Sequence, residues 1–490
     1  MEGKDQLVTD RYPEYELVIG IEVHVQLKTE SKMFCSCQNQ FGVQPNSNIC
    51  QVCTGFLGTL PVINRKAVDY AIMLGLATNC SISKVCEFAR KHYMYPDLPK
   101  NYQISQDDKP ICTDGYVEID LVDGEKKKIA LERIHMEEDA GKNIHANVSG
   151  ETFVDLNRAG TPLLEIVSRP DISSSEEARL YLTRLRSIVQ YLGISDANME
   201  EGSFRGDINI SVRKRGDEKL GTRTELKNVN SFRYIVQAIE YEANRQIELL
   251  NRGEKVVQST LLWDEKAHKT VFMRSKEESH DYRYFPDPDL PLLIVDDTWV
   301  SRIREMIPEL PEQKFVRFQE DFGLSAYETN ILTSQRPWAE YFEKVVEGCN
   351  APKQVSNWML RDLFEYMHET KTEFSDIKIK PEMLAEFVVI IQKGVINSKV
   401  ARDVFVEMAN SGKYPSIIVQ EKGLEQISSE EELEGIVKKI IDENPKQVEA
   451  YRNGKERLFA FFVGQAMKAT SGKANPKVLQ DILKKNLNND

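Results

Sequence analysis

The chain has 490 residues, 41% hydrophobic and 29% charged, with a net charge of −13. At about 150 residues per domain this length suggests two to four domains, and the mix is that of an ordinary globular protein. No run approaches the roughly 18 apolar residues of a membrane span, and MEGKDQLVTDRYPEYELV lacks the apolar stretch of a secretory signal. The acidic balance argues against a general nucleic-acid coat, and a cytosolic chain with reduced thiols is expected.

Beyond a short N-terminal extension, ELVIGIEVHVQLK alternates with period two, as a half-buried strand does. It puts Glu22, His24 and Gln26 on one side and Val23, Val25 and Leu27 on the other. Four of the eight cysteines follow at once: Cys35-x-Cys37 and Cys50-x2-Cys53 are two close pairs across a loop, QNQFGVQPNSNI, with little core material. That spacing fits a closed, structural tetrahedral zinc site, with unrelated reduced thiols as the other reading.

Further along, YVEIDLV reads as a strand, and HMEEDAGK supplies Glu137, Glu138 and Asp139. Period two sends Glu137 and Glu138 to opposite faces. A helix is predicted over Ser173 to Leu192, opened by serine and acidic residues, and a second over Ser231 to Asn251. Between them, RGDINISVR sets Arg205, Asp207, Asn209 and Ser211 on one side, and TRTELKN sets Arg223, Glu225 and Lys227 on one side. Carboxylates, an imidazole and basic groups on one sheet face suit a magnesium–nucleotide site, because Mg²⁺ takes oxygen ligands and cations neutralise a moving phosphoryl group. Plain solvated outer faces are the competing explanation. No G-x-x-x-x-G-K-[ST], G-x-G-x-x-G or G-x-S-x-G occurs, so any ATP use must be built on the sheet.

The proline-rich DYRYFPDPDLPLL, Asp281 to Leu293, must be extended or turning and closes the strand-rich half. Amphipathic helices are predicted after it, around 301–306, 339–347, 356–368, 381–393, 398–411, 429–442, 445–453, 455–469 and 476–486. From Asn444 to Asp490, nine basic side chains stand against four acidic ones, which allows a local RNA-facing surface or a solvated helical face.

IGIEVHVQL, HMEEDAGK, VDLNRAGTPLLEIVSRPD, EEGSFRGDINIS, TELKNVNSFRYI and DYRYFPDPDLP occur in that order. Together with SNWMLRDLFEYM and VGQAMKATSGKANP they resemble the B-subunit family of the aspartyl/glutamyl-tRNA amidotransferases, from about Tyr15 onward. The resemblance implies an α+β fold: a cradle domain similar to glutamine synthetase with a mixed or antiparallel sheet, then an all-helical domain and a small helical tail. The expected boundaries are 1–14 for the extension, 15–305 for the cradle with its zinc loop at 35–53, 306–420 for the helical domain and 421–490 for a tRNA-binding tail.

The resemblance further implies the chemistry. With Mg-ATP the cradle phosphorylates the side-chain carboxylate of Glu or Asp carried by tRNA(Gln) or tRNA(Asn). An amidase subunit (A) supplies ammonia through a tunnel, and a small subunit (C) completes a heterotrimer. By motif match, Glu22, His24, Glu138 and Glu225 are expected to hold Mg²⁺ and serve catalysis with Asp207, the choice of Glu138 over Glu137 resting on the resemblance alone. Arg205 and Lys227 are expected at phosphate, and Arg90, Lys91, Tyr95, Asn157 and Arg158 at the substrate. Cys35, Cys37, Cys50 and Cys53 match family members that carry structural Zn²⁺. The rival functions are a small-molecule ligase resembling glutamine synthetase and a non-enzymatic tRNA-binding scaffold.

Overall fold

The alternation in YELVIGIEVHVQ produces a strand, β1 (Tyr15–Gln26), in which burial alternates residue by residue from Tyr15. The structure is a computed structural model that describes residues 7–121, 124–145, 151–275, 282–426, 430–470 and 474–488. Asp281 of the proline-rich segment and Lys473 and Asp490 of the basic tail lie outside the described residues. Two compact units, 1–311 and 312–490, make up the chain.

The elements of the first unit that position the site are, after β1, the helix α1 (Arg65–Ala77) and a short pair β2 (Ala89–His92) and β3 (Tyr102–Ser105). The strands β4 (Cys112–Asp120), β5 (Lys126–Glu138) and β6 (Pro162–Ser168) follow, and then α2 (Ser175–Leu192). The series ends with β7 (Phe204–Lys214), β8 (Thr224–Lys227), α3 (Phe232–Asn251), β9 (Ser259–Asp264), β10 (Lys269–Ser275) and β11 (Phe285–Pro286). One large sheet runs β10-β9-β8-β7-β1-β6-β5-β4, with Ser81–Ile82 at the far edge. Its neighbours are antiparallel except β8 and β9, which are parallel, so the sheet is mixed as expected.

Helices α1, α2 and α3 close the apolar face. Ile21, Val23 and Val25 from β1 join Ile208 and Ile210 from β7, Leu182 and Leu185 from α2, and Ile235 and Ile239 from α3 in one core. The two predicted helices start where their serines allow. Ser174 caps α2 by accepting from the Glu177 amide at 3.1 Å, and Ser231 caps α3 from the Tyr234 amide at 3.2 Å. Gly193, at φ +68, ends α2 in the left-handed conformation that a side chain disfavours. The opposite face of the sheet keeps its charges. Beside it, a small sheet of β11, β2 and β3 forms from the proline-rich segment and residues 89–105.

The second unit is helical and holds two separate cores. Phe342, Phe387, Phe405 and Met408 belong to one, and Leu433, Val437, Phe462 and Leu483 to the other. The expected boundaries move for packing reasons. Ile307 and Leu310 still pack against the first unit's core, so 305/306 falls early. The helix Pro415–Lys422 runs across 420/421 and buries Ile418 and Val419 in the first helical core. The predicted helix at 356–368 is a run from Pro352 to Thr370 interrupted by a π-helical segment, Trp358–Leu363, an irregularity that periodicity does not reveal. Helices at Pro311–Phe322, Ala326–Leu332 and Pro415–Lys422 are additional to those predicted. Among the described residues no helix is long and apolar enough to cross a membrane.

Candidate active site on the polar face of the sheet

Strand register converts the period-two stripes into a lattice. Across β7, β1, β6 and β5, Arg205 faces His24, His24 faces Glu165, and Glu165 faces His135. In the adjoining rows Asp207 faces Glu22, and Glu137 faces Leu163, itself opposite Gln26. Lys227 of β8 bonds Asp207, and Glu225 lies opposite Asn209. The expected stripes on β1, β7 and β8 therefore share one surface.

His24 is the hub. Its Nε2 lies 3.4 Å from Glu165, 3.5 Å from Glu22 and 4.0 Å from Glu137. His135 sits on the far side of Glu165, also at 3.4 Å. The donor atoms of Glu22, His24 and Asp207 lie within 4.8 Å of one another, as do those of His24, Glu137 and Glu165. Such oxygen-rich sets suit a hard divalent cation.

Charge balance supports the same reading. Burial, reinforced by Glu165, pushes the Glu22 carboxyl up to about 7. Burial alone would depress His24 and His135, but Glu165 reverses this for both and lifts His135 to about 9. Glu165 itself ionises easily despite its burial because His135 and His24 flank it. Lys91, half-buried on β2, stays protonated against its desolvation because Glu137, Glu165 and Glu22 face it. Lys227 goes to about 12: Asp207 and Glu225 outweigh its burial. Excess negative charge thus collects at Glu22, where a bound cation would draw the carboxyl down.

The structure places several of the expected residues apart from the cluster or in other contacts. Glu138 does not join the cluster, because it points to the other face of β5, where its carboxylate bonds Lys100 and accepts from the Ile104 amide at 3.0 Å. There it lines a cavity of about 280 Å³ with Phe34, Cys53, Phe56 and Tyr102. Glu137 takes its place, since period two allows only one of the two on the His24 face.

Arg90 is committed to Asp287 at 2.9 Å and Asp289 at 2.8 Å and covers the Tyr102 ring, which ties down the proline-rich segment. Tyr95 is 46% exposed and lies outside the cluster, whereas Lys91 reaches it. Asn157 accepts from the Asn48 amide at 2.8 Å and donates to the Gln44 carbonyl at 2.7 Å, so it clamps the loop between the cysteine pairs. Arg158 donates to the Ala140 and Gly141 carbonyls. Arg205 bonds Asp139 at 3.0 Å, beside Gln26 on the same carboxylate. Arg223 precedes β8 and is exposed.

Two cluster members escaped the sequence reading. Glu165 is a lone carboxylate inside PLLEIVS, a strand that otherwise reads as buried and apolar. His135 shares a face with Glu137 by the same alternation that separates Glu137 from Glu138. An uncompensated charge in an apolar strand was the available signal for the first.

The four cysteines meet. The sulfurs of Cys35, Cys37, Cys50 and Cys53 all lie within 4.8 Å of one another, with Lys32 3.8 Å from Cys53. The hydrogen bond from Cys35 pulls the Cys53 thiol down to about 5. That same bond drives Cys35 far up, and burial with a bond to Cys50 lifts Cys37 to about 11. One thiolate is accommodated unaided; four would need a cation, and the set fits tetrahedral zinc.

Comparison with known proteins agrees with this division of the chain. Residues 17–301 match the GatB/GatE catalytic domain and residues 340–487 the GatB domain. A protein of Carboxydothermus hydrogenoformans is 52% identical over 477 residues, 97% of this chain and 99% of its own length. One from Thermodesulfovibrio yellowstonii is 51% identical over 96% of this chain and 98% of its own, and one from Geotalea daltonii 53% over 97% and 99%. All three are named as the B subunit of an aspartyl/glutamyl-tRNA(Asn/Gln) amidotransferase. With both halves matched and identity of this order over nearly its whole length, the chain belongs to the family of aspartyl/glutamyl-tRNA(Asn/Gln) amidotransferase B subunits.

Proposed function

We propose that the polar face of the sheet is a magnesium–ATP site that activates the side-chain carboxylate of Glu-tRNA(Gln), Asp-tRNA(Asn) or both for amidation. The single observation carrying this is the convergence of Glu22, His24, Glu137, Glu165 and Asp207, with Lys91 and Lys227 at its rim. A carboxylate resists nucleophiles because of its own charge, and phosphorylation gives it a leaving group. Bound Mg²⁺ would neutralise phosphate charge during transfer. For this chain's residues the roles follow from position. Glu22, His24, Asp207, Glu137 and Glu165 hold the cation, while Lys227 and Lys91 present fixed positive charge to the nucleotide or the acid. Arg205, held by Asp139, orients the edge near Gln26.

Beyond the sheet, the cysteine loop carries structural zinc, and the basic helical end, from about residue 444, binds tRNA. The chain acts with an amidase subunit that releases ammonia and a small subunit, in the cytosol. Reconstitution with those two subunits tests the reading: ATP turnover should require misacylated tRNA and Mg²⁺. Equal turnover with free glutamate would overturn it, and separate assays on the two misacylated tRNAs would define the substrate.

A further inference from the structure

Glu225 lies on β8, a strand of only four residues, so its aim depends on what surrounds that strand. From below, α3 fixes the backbone. Glu242, fully buried, accepts from Thr224 at 2.8 Å, from Gln246 at 3.0 Å and from both donor ends of Arg245, and Thr270 on β10 reaches it at 3.2 Å. Thr224 and Glu225 point to opposite faces, so this buried hub anchors the strand without touching the site. The rotation of the Glu225 side chain remains to be set. Thr260, directly opposite in the parallel register with β9 and 1% exposed, donates its hydroxyl to Glu225 Oε2 at 2.8 Å. The other oxygen, Oε1, turns to Lys227 at 3.7 Å, and Lys227 in turn bonds Asp207 of the cation set.

We propose that Thr260 is a positioning residue for the nucleotide–cation site: its hydroxyl takes one oxygen of Glu225 so that the other faces the chain Lys227–Asp207–Glu22. This inference rests on the proposed magnesium–ATP role of the sheet face. The carboxylate has two nearly equivalent oxygens, and a hydrogen bond that engages one of them removes a rotational alternative. Outer partners that orient the groups around a metal are worth roughly 10–100-fold in metal affinity or activity.

The test compares Thr260→Val with Thr260→Ser in the reconstituted heterotrimer. Valine keeps the shape and strand preference and loses the donor; serine keeps the donor and loses a methyl. Mn²⁺ binding in the presence of a non-hydrolysable ATP analogue, read by electron paramagnetic resonance, should weaken about 10-fold or more in the valine variant. It should return close to wild type in the serine variant. The Mg²⁺ concentration for half-maximal amidation should rise in parallel, with far-UV circular dichroism unchanged. Wild-type Mn²⁺ binding in Thr260→Val, while Glu225→Gln loses it, overturns the role of Thr260 alone. Equal losses in both Thr260 variants overturn it in favour of packing. If Glu225→Gln binds Mn²⁺ and amidates like wild type, Glu225 itself leaves the proposed site. Should the valine variant fail to fold, Thr260→Ala must show the same loss and Thr260→Ser the same retention.

Discussion

The acidic sheet face and the cysteine loop both gather groups that could hold a cation, but they do so by opposite routes. On the sheet, Glu165 sits between two imidazoles and Lys227 bonds Asp207, so most charges already have partners. The scaffold beneath is a continuous apolar core of strands and helices. In the loop, four thiols crowd together around a segment whose Phe41 is 70% exposed and whose fixed points are Asn157 and Lys32. There the cation would be the core. A buried lattice of already paired charges suits a working site, and a thiol cluster on a coreless loop suits a structural one.

Four measurements would break or sharpen this contrast. The largest effect is expected on β5. Glu137→Gln should cost amidation roughly 10²–10³-fold, the several kcal/mol that a cation contributes to transferring charge. Glu138→Gln should spare turnover at low temperature yet destabilise by about 3 kcal/mol, because Lys100 loses its buried partner. Steady-state amidation and thermal unfolding of the two variants settle it, and the reverse ranking would return Glu138 to the site.

Next comes the loop. Cys50→Ser should release one zinc equivalent and open residues 35–53 to proteolysis while leaving the sheet intact; metal analysis that finds no zinc in the wild type would leave plain thiols. Third, removal of the chain from residue 430, where the last core begins, should weaken tRNA binding. It should also flatten the salt dependence by roughly 0.7–0.9 log units for each phosphate that is no longer neutralised. Unchanged affinity at low and high salt refutes a tRNA role for this end.

The smallest effect is on pH. The free Glu22 carboxyl is raised to about 7, so below that pH it is mostly protonated and a cation must displace the proton, whereas above it this carboxyl has no proton to lose. Mg²⁺ affinity should therefore increase from pH 6 to pH 8, by at most about 10-fold per pH unit for the Glu22 proton, and His24, raised by Glu165 despite its burial, adds a second proton to be displaced. Calorimetry in buffers of different ionisation enthalpy counts the protons released, and Glu22→Gln should lower that number by about one at pH 6.

Much of the candidate site is legible in the sequence. The stripes Glu22–His24–Gln26 and Arg205–Asp207–Asn209 followed from alternation, and the cysteine spacing predicted a cluster that does form. What alternation does not reveal has a common cause. Glu165 was hidden because an apolar strand gives no hint that its one carboxylate meets two histidines from neighbouring strands. Arg90 and Arg158 carry charge that would serve a substrate, yet their partners, Asp287 and the Ala140 carbonyl, lie 197 and 18 residues away.

By itself the sequence determined which side chains share a strand face, where serines open helices, and that the chain divides into a strand-rich body and a helical remainder. Tertiary structure alone decided, through the pairing of β6 with both β1 and β5, which face of β5 continues the His24 surface, hence Glu137 rather than Glu138, and it alone brought Thr260 to Glu225. Periodicity is a property of one segment, fixed by backbone geometry. Register is a property of two, fixed only when burial of both apolar faces selects how they pair.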